Sequence, residues 1–227
     1  MIRCLILLYI TLAASHAAAA DVAIMSREDW GARSPRADVS TYAEYDVERP
    51  AYDRIVLHVT SMGYGRGKAE ARRIQNFQMD VRGFSDLAYN YLIDAGGAVY
   101  EGRSLDFVPA HAGRVREADD RHDITIDPDF GAIGIVFSAD TDEPLTADQV
   151  SAAIALIRWL RTRHPIDTII THTEVRDWIE ARGLTPANHG FAPERCPGSG
   201  SMEAIVAIRE ALDPGFDEAA YRRRFRD

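Results

Sequence analysis

Arg54-Ile55-Val56-Leu57-His58-Val59-Thr60 sets an unbroken aliphatic run directly before a histidine. A short continuous apolar run rich in β-branched residues fits a buried strand, here one that ends at His58. Two later stretches repeat the pattern: Ala132–Ser138, and Asp167–Thr171, which delivers His172 at its end. Ala69–Met79 puts Ile74 and Phe77 on one helical face. Thr146–Arg163 spaces Val150, Ile154, Ile157 and Leu160 as a helix does, until His164-Pro165 stops it. Ala88–Ile93 and Ala98–Tyr100 flank Asp94-Ala95-Gly96-Gly97 and predict a hairpin. Ser26-Arg27-Glu28-Asp29 predicts a capped short helix, and Glu174–Ala181 and Met202–Leu212 two further helices. Gly63–Gly67 and the charge-dense residues 112–130 are expected as surface loops. Helices interleaved with strands that include a hairpin imply an α/β fold, a central mixed β-sheet flanked by helices.

The first twenty residues carry one charge, Arg3, then the apolar run Cys4–Leu12 and the small residues Ala13–Ala20. That layout predicts a secretory signal over 1–20, cleaved after Ala18 or Ala20, and an exported protein, periplasmic or extracellular. The apolar run is short for a bilayer span, so no stable membrane anchor is expected. Removal of residues 1–20 leaves 207 of 227, enough for one domain over 21–213 and a basic, solvated tail over 214–227 with Arg222, Arg223, Arg224 and Arg226. The net charge of −9 becomes −10 when Arg3 leaves. Such a chain repels nucleic acid overall, and a monomer is expected.

Loss of Cys4 with the leader leaves Cys196 as a lone thiol in an oxidising compartment. It is a buried spectator, an intermolecular bridge, a nucleophile or a metal ligand. A zinc hydrolase needs three ligands of the His, Cys or carboxylate type and one open position. His58 and His172 at strand ends, with Cys196 in the turn Cys196-Pro197-Gly198, form one such set; His189, seven residues before the cysteine, is an alternative to His172. Spacing alone does not decide among these, because seven histidines make chance pairings easy.

An ordered series of motifs narrows the choice. Ser26-Arg27-Glu28-Asp29-Trp30-Gly31-Ala32-Arg33, the strand ending at His58, and Leu87-Ala88-Tyr89-Asn90-Tyr91-Leu92-Ile93 are followed by Val99-Tyr100-Glu101-Gly102-Arg103 and Ala110-His111-Ala112-Gly113. Ala132-Ile133-Gly134-Ile135-Val136-Phe137, His172 and Cys196-Pro197-Gly198 complete the series. Together, over residues 26–198, it resembles the peptidoglycan recognition proteins and type-2 N-acetylmuramoyl-L-alanine amidases.

The resemblance implies zinc held by His58, His172 and Cys196, with peptidoglycan or a muropeptide as substrate. It implies hydrolysis of the amide between N-acetylmuramic acid and L-alanine. Tyr89 matches the family's active-site tyrosine, a donor to the developing oxyanion. Where a related branch carries a Glu on the Ile-Gly-Ile strand, this chain has Val136. Glu194 stands where many members have Lys or Thr, and is the candidate proton shuttle. His111, Asn90 and Trp178 are the candidates for holding substrate. The chain departs from the pattern in an apparent insertion over 175–193, a long 114–130 segment, Val59 in place of a frequent second His, and no disulfides. A non-catalytic peptidoglycan-binding module and a zinc peptidase acting on the stem peptide are the rival readings.

Overall fold

A computed structural model describes residues 22–187 and 196–223. The expected leader, His189, Glu194, Arg224 and Arg226 lie outside the described residues. In chain order the elements are β1 (Ile24–Met25), α1 (Arg27–Trp30), β2 (Arg54–Val59), α2 (Gly67–Asn76), β3 (Tyr91–Ile93), β4 (Val99–Glu101) and α3 (Arg116–Arg121). They continue with β5 (Ala132–Phe137), α4 (Ala147–Arg161), β6 (Thr168–Thr171), α5 (His172–Glu180), α6 (Met202–Leu212) and α7 (Glu218–Arg223). After α2 the helix widens into a π-type turn over Phe77–Val81.

The six strands form one mixed sheet in the order β1-β4-β3-β5-β2-β6. β2 lies between β5 and β6 and is parallel to both, while β3 and β4 form the antiparallel hairpin. All six residues of β2 and all six of β5 are buried, as expected for parallel strands covered on both faces. Alternation along β2 sends Ile55, Leu57 and Val59 into a core shared with Leu156, Ile157 and Leu160 of α4 and Ile205 and Ile208 of α6. On the opposite face Val56 packs with Val115, Ala118, Val175 and Ile179, and Val136 of β5 packs with Trp30, Ala71 and Ile74. His58 belongs to this second face and is fully buried.

Local chemistry explains the element ends. Ser26 accepts the Asp29 amide at 3.2 Å and caps α1. Thr146 and Gln149 exchange hydrogen bonds of 3.1 and 3.0 Å in a capping box that starts α4. The core stripe of α4 is Gln149, Ala153, Leu156, Ile157 and Leu160; Val150 and Ile154, expected there, are only partly buried beside it.

Two expectations need correction. Residues 112–130 are not a solvated loop: they hold α3 and a 3-10 turn over Ile124–Ile126, and bury Val115, Ala118, Ile124, Asp127 and Asp129. The two aspartates are inside because backbone amides satisfy them. Asp129 accepts His111 and Ala112 N–H at 3.0 and 2.8 Å, and Asp127 accepts Val115 N–H at 2.9 Å. The stretch expected as a solvated basic tail carries α7, whose Tyr221 is 2 % exposed and joins the main core. Arg222 pairs with Glu203 at 2.5 Å and with Glu218 at 2.6 Å.

Asp127 gives the fold a pH dependence of known sign. Burial raises its pKa from 3.8 to about 6, against the lowering effects of the Val115 amide and Arg114. The folded state therefore binds this proton more tightly than the unfolded chain, so the group's contribution to stability falls as pH rises from about 4 to about 6. Asp127→Asn, which keeps an acceptor for Val115, is expected to flatten the Tm-against-pH curve over that window; an unchanged curve would remove Asp127 as its source.

Candidate metal centre and cleft

The parallel register brings the site together. Leu57 pairs with Thr171 across β2 and β6, so His58 and His172 are the next residues on adjacent strands. Thr171 ends β6 and His172 opens α5; the Thr171 N–H and hydroxyl both bond the Glu174 carboxylate, at 2.8 and 2.9 Å, which turns the chain into the helix there. Glu174 also receives Arg209 of α6 at 2.8 Å, tying α5 to the opposite layer.

Cys196 arrives from a distant part of the chain and is fastened by Thr173. The Thr173 N–H and hydroxyl donate to the Cys196 carbonyl at 2.8 and 3.1 Å, and Cys196 N–H bonds the Thr173 hydroxyl at 2.9 Å. Gly198 permits the turn that follows, since a Cβ there would lie 2.1 Å from the Thr141 carbonyl oxygen. With this framework His58, His172 and Cys196 each present one ligand-type atom, all within 4.8 Å of one another. His58 Nδ1 is 3.9 Å from the Cys196 Sγ. Thr173 was not singled out from sequence, although its position directly after His172 was the available signal.

All three donors are held neutral by their surroundings. Burial, followed by repulsion from His172 and His111, takes His58 well below the usual imidazole range. His172 is lowered to about 4, again by burial first and His111 second, and its place in the first turn of α5 acts in the same direction. Burial pushes the Cys196 thiol up to about 12.

The cluster opens on a cleft of about 1210 Å³, lined among others by Val59, Thr60, Tyr89, His111, His172 and Cys196. The Tyr89 ring centroid lies 5.0 Å from that of His58. Burial and the nearby Cys196 raise the Tyr89 pKa, so the phenol keeps its proton at neutral pH. One wall is made by two segments that meet: Arg116 N–H bonds the Thr185 carbonyl at 2.9 Å and Ala187 N–H the Arg114 carbonyl at 2.8 Å, around a bridge between Val115 and Pro186.

The candidates for holding substrate divide. His111 lines the cleft but is 4 % exposed, and its Nδ1 is 3.3 Å from the His58 Nε2. Asn90 does not reach the cleft: it is 1 % exposed, donates to the Arg103 carbonyl at 3.1 Å and accepts Gly134 N–H at 2.9 Å, joining the hairpin to β5. Trp178 does not line it either, because α5 turns that side chain toward the guanidinium groups of Arg54 and Arg182, 4.9 and 3.7 Å from the ring centroid.

Comparison with known proteins places the chain in a family and the fold among solved structures. Peptidoglycan-recognition protein SC2 of Drosophila simulans is 31 % identical over 143 residues, 60 % of this chain and 66 % of that protein. Peptidoglycan-recognition protein LB of Drosophila melanogaster is 28 % identical over 160 residues, 68 % of this chain and 62 % of that protein. The chain thus spans just under two thirds of the length of these curated relatives. The Drosophila PGRP-LB structure superposes with a TM-score of 0.59 at 25 % identity, covering 86 % of this chain and 96 % of that one. The amidase LysC from Clostridium intestinale shares the fold, with a TM-score of 0.58 at 20 % identity and coverage of 84 % and 97 %. The family model described as N-acetylmuramoyl-L-alanine amidase matches residues 48–198, a span that holds all three clustered donors, and the chain belongs to that family.

Proposed function

We propose that the protein is a zinc-dependent hydrolase that cleaves the amide between N-acetylmuramic acid and L-alanine of peptidoglycan. The observation that carries this reading is the His58–His172–Cys196 cluster, gathered beside a cleft in a chain of the N-acetylmuramoyl-L-alanine amidase family. Export to the periplasm or beyond the cell, and a muropeptide partner, belong to the same proposal. It accords with relatives named for peptidoglycan recognition and with the PGRP-LB variant whose structure contains tracheal cytotoxin. No described helix is long and apolar enough to cross a membrane.

The donor set fits zinc. Two neutral imidazoles and a sulfur suit a borderline-soft cation, and three ligands leave a position open. A Cys–His nucleophile is the competing use of the same atoms. It requires a depressed thiol pKa and a protonated imidazole partner, whereas Cys196 is pushed up and His58 down. When bound, zinc supplies Lewis acidity that polarises a carbonyl and acidifies water near neutral pH.

The chain's own groups do the rest. The cleft walls orient the scissile amide and exclude bulk water, which strengthens each polar contact inside. Tyr89 holds a proton on its phenol and donates a hydrogen bond to the oxygen that gathers charge as the amide carbon is attacked. Glu194 is proposed to carry a proton to the departing amine.

Purified protein with zinc and muropeptides is expected to release one new free amine per bond cut, with an intact peptide beginning in L-alanine by mass spectrometry. Binding without new amine would leave a recognition module, and a shortened peptide would make it a stem-peptide peptidase. Tyr89→Phe should retain zinc while kcat drops about 10²-fold; an unchanged kcat would reject the role of the hydroxyl. Cys196→Ser should lose most of the zinc, measured by atomic emission, together with most of the activity. Full zinc content in that variant would take the thiol out of the site.

A further inference from the structure

His58 has two ring nitrogens facing different neighbours. Its Nδ1 is turned to the Cys196 Sγ at 3.9 Å, and its Nε2 to the His111 Nδ1 at 3.3 Å. A neutral imidazole carries one proton, and only the bare nitrogen can donate a lone pair to a cation. For Nδ1 to serve the cluster, the proton must sit on Nε2, and a buried Nε2–H needs an acceptor. His58 is 0 % exposed, and His111 is the partner its Nε2 has.

His111 is built into place to meet it. The Asp129 carboxylate accepts the His111 and Ala112 backbone amides at 3.0 and 2.8 Å, fixing the chain on either side of the ring's attachment. The same Asp129 Oδ1 is 3.5 Å from the His111 Nδ1, but those two amides already occupy it at shorter range. Position 134 must be glycine for the ring to lie where it does, since a Cβ there would come within 2.4 Å of the imidazole. The His111 ring then keeps its own proton on Nε2, and the Ala132 backbone hydrogen-bonds that imidazole.

We infer that His111 is a positioning residue: its Nδ1 accepts the His58 Nε2–H, leaving the His58 Nδ1 unprotonated and turned toward Cys196 and His172. This role rests on the zinc reading for its purpose but is readable without substrate. It also reassigns a side chain whose cleft position alone suggested substrate contact. The general requirement, that a ligating histidine gives its second N–H to an orienting partner, is here met by another imidazole.

The test uses the full chain labelled with ¹⁵N-histidine, before and after zinc is added. Long-range ¹H–¹⁵N spectra of the zinc-free wild type should show His58 protonated at Nε2; a His58 protonated at Nδ1 would overturn the inference without any variant. His111→Leu should shift His58 toward the Nδ1–H form and weaken zinc binding, by chelator competition, about 10- to 100-fold. His111→Asn, which returns an oxygen acceptor near the Nδ1 position, should recover most of that affinity. Equal affinity in wild type and His111→Leu would also overturn it. The two proposals fail separately: a wild type that binds zinc with the expected tautomer but frees no amine loses the amidase reading and keeps this one.

Discussion

The register of β2 between β5 and β6 is the constraint on which the rest depends. Because His58 follows Leu57 and Leu57 pairs with Thr171, the two imidazoles meet only in this alignment. A slip of one residue would send His58 into the α4 and α6 core and bring out an aliphatic side chain in its place. The slip is opposed by the strand's own chemistry, since Ile55, Leu57 and Val59 bury fully against one layer while Arg54 would have to follow His58. Hydrophobic sorting on one face of β2 thus sets the geometry of a histidine carried on the other.

Burial then decides what the site can do. Groups removed from water lose their charged forms, and burial is the largest cause driving the two histidines and the thiol to neutrality, with neighbouring imidazoles adding to it for the histidines. Neutral imidazole is the ligating form, and a high thiol pKa falls once a cation is beside it. The same dry surroundings would make a poor home for an ion-paired cysteine nucleophile.

Much of this was legible in the sequence where a repeating period carried the signal. The β2, β5 and β6 runs, the hairpin and the helices α4 and α6 follow from apolar spacing; His58 and His172 stand at strand ends, but His58, His172 and Cys196 were singled out as a set only by the family resemblance. What escaped was set by partners distant in the chain. Asp127 and Asp129 look like solvent residues until the amides that satisfy them are known. Asn90 sits beside Tyr89 in sequence, yet alternation turns it away from the cleft to brace the sheet. Trp178 lies in the segment expected as an insertion, but its ring lies against the guanidinium groups of Arg54 and Arg182, and Arg54 is far from it in the chain.

The wall where residues 114–117 meet 185–187 is joined through main-chain N–H and C=O groups and through the Glu117 carboxylate, which accepts the Thr185 N–H at 2.9 Å. Exchanges of the other side chains there leave the main-chain bonds of such a seam closed. Such exchanges would recolour this rim of the cleft while the histidine–thiol cluster, held by the β2 register and by Thr173, keeps its shape. The rim and the buried cluster thus rest on separate supports, chain pairing and one carboxylate for the first and sheet register for the second.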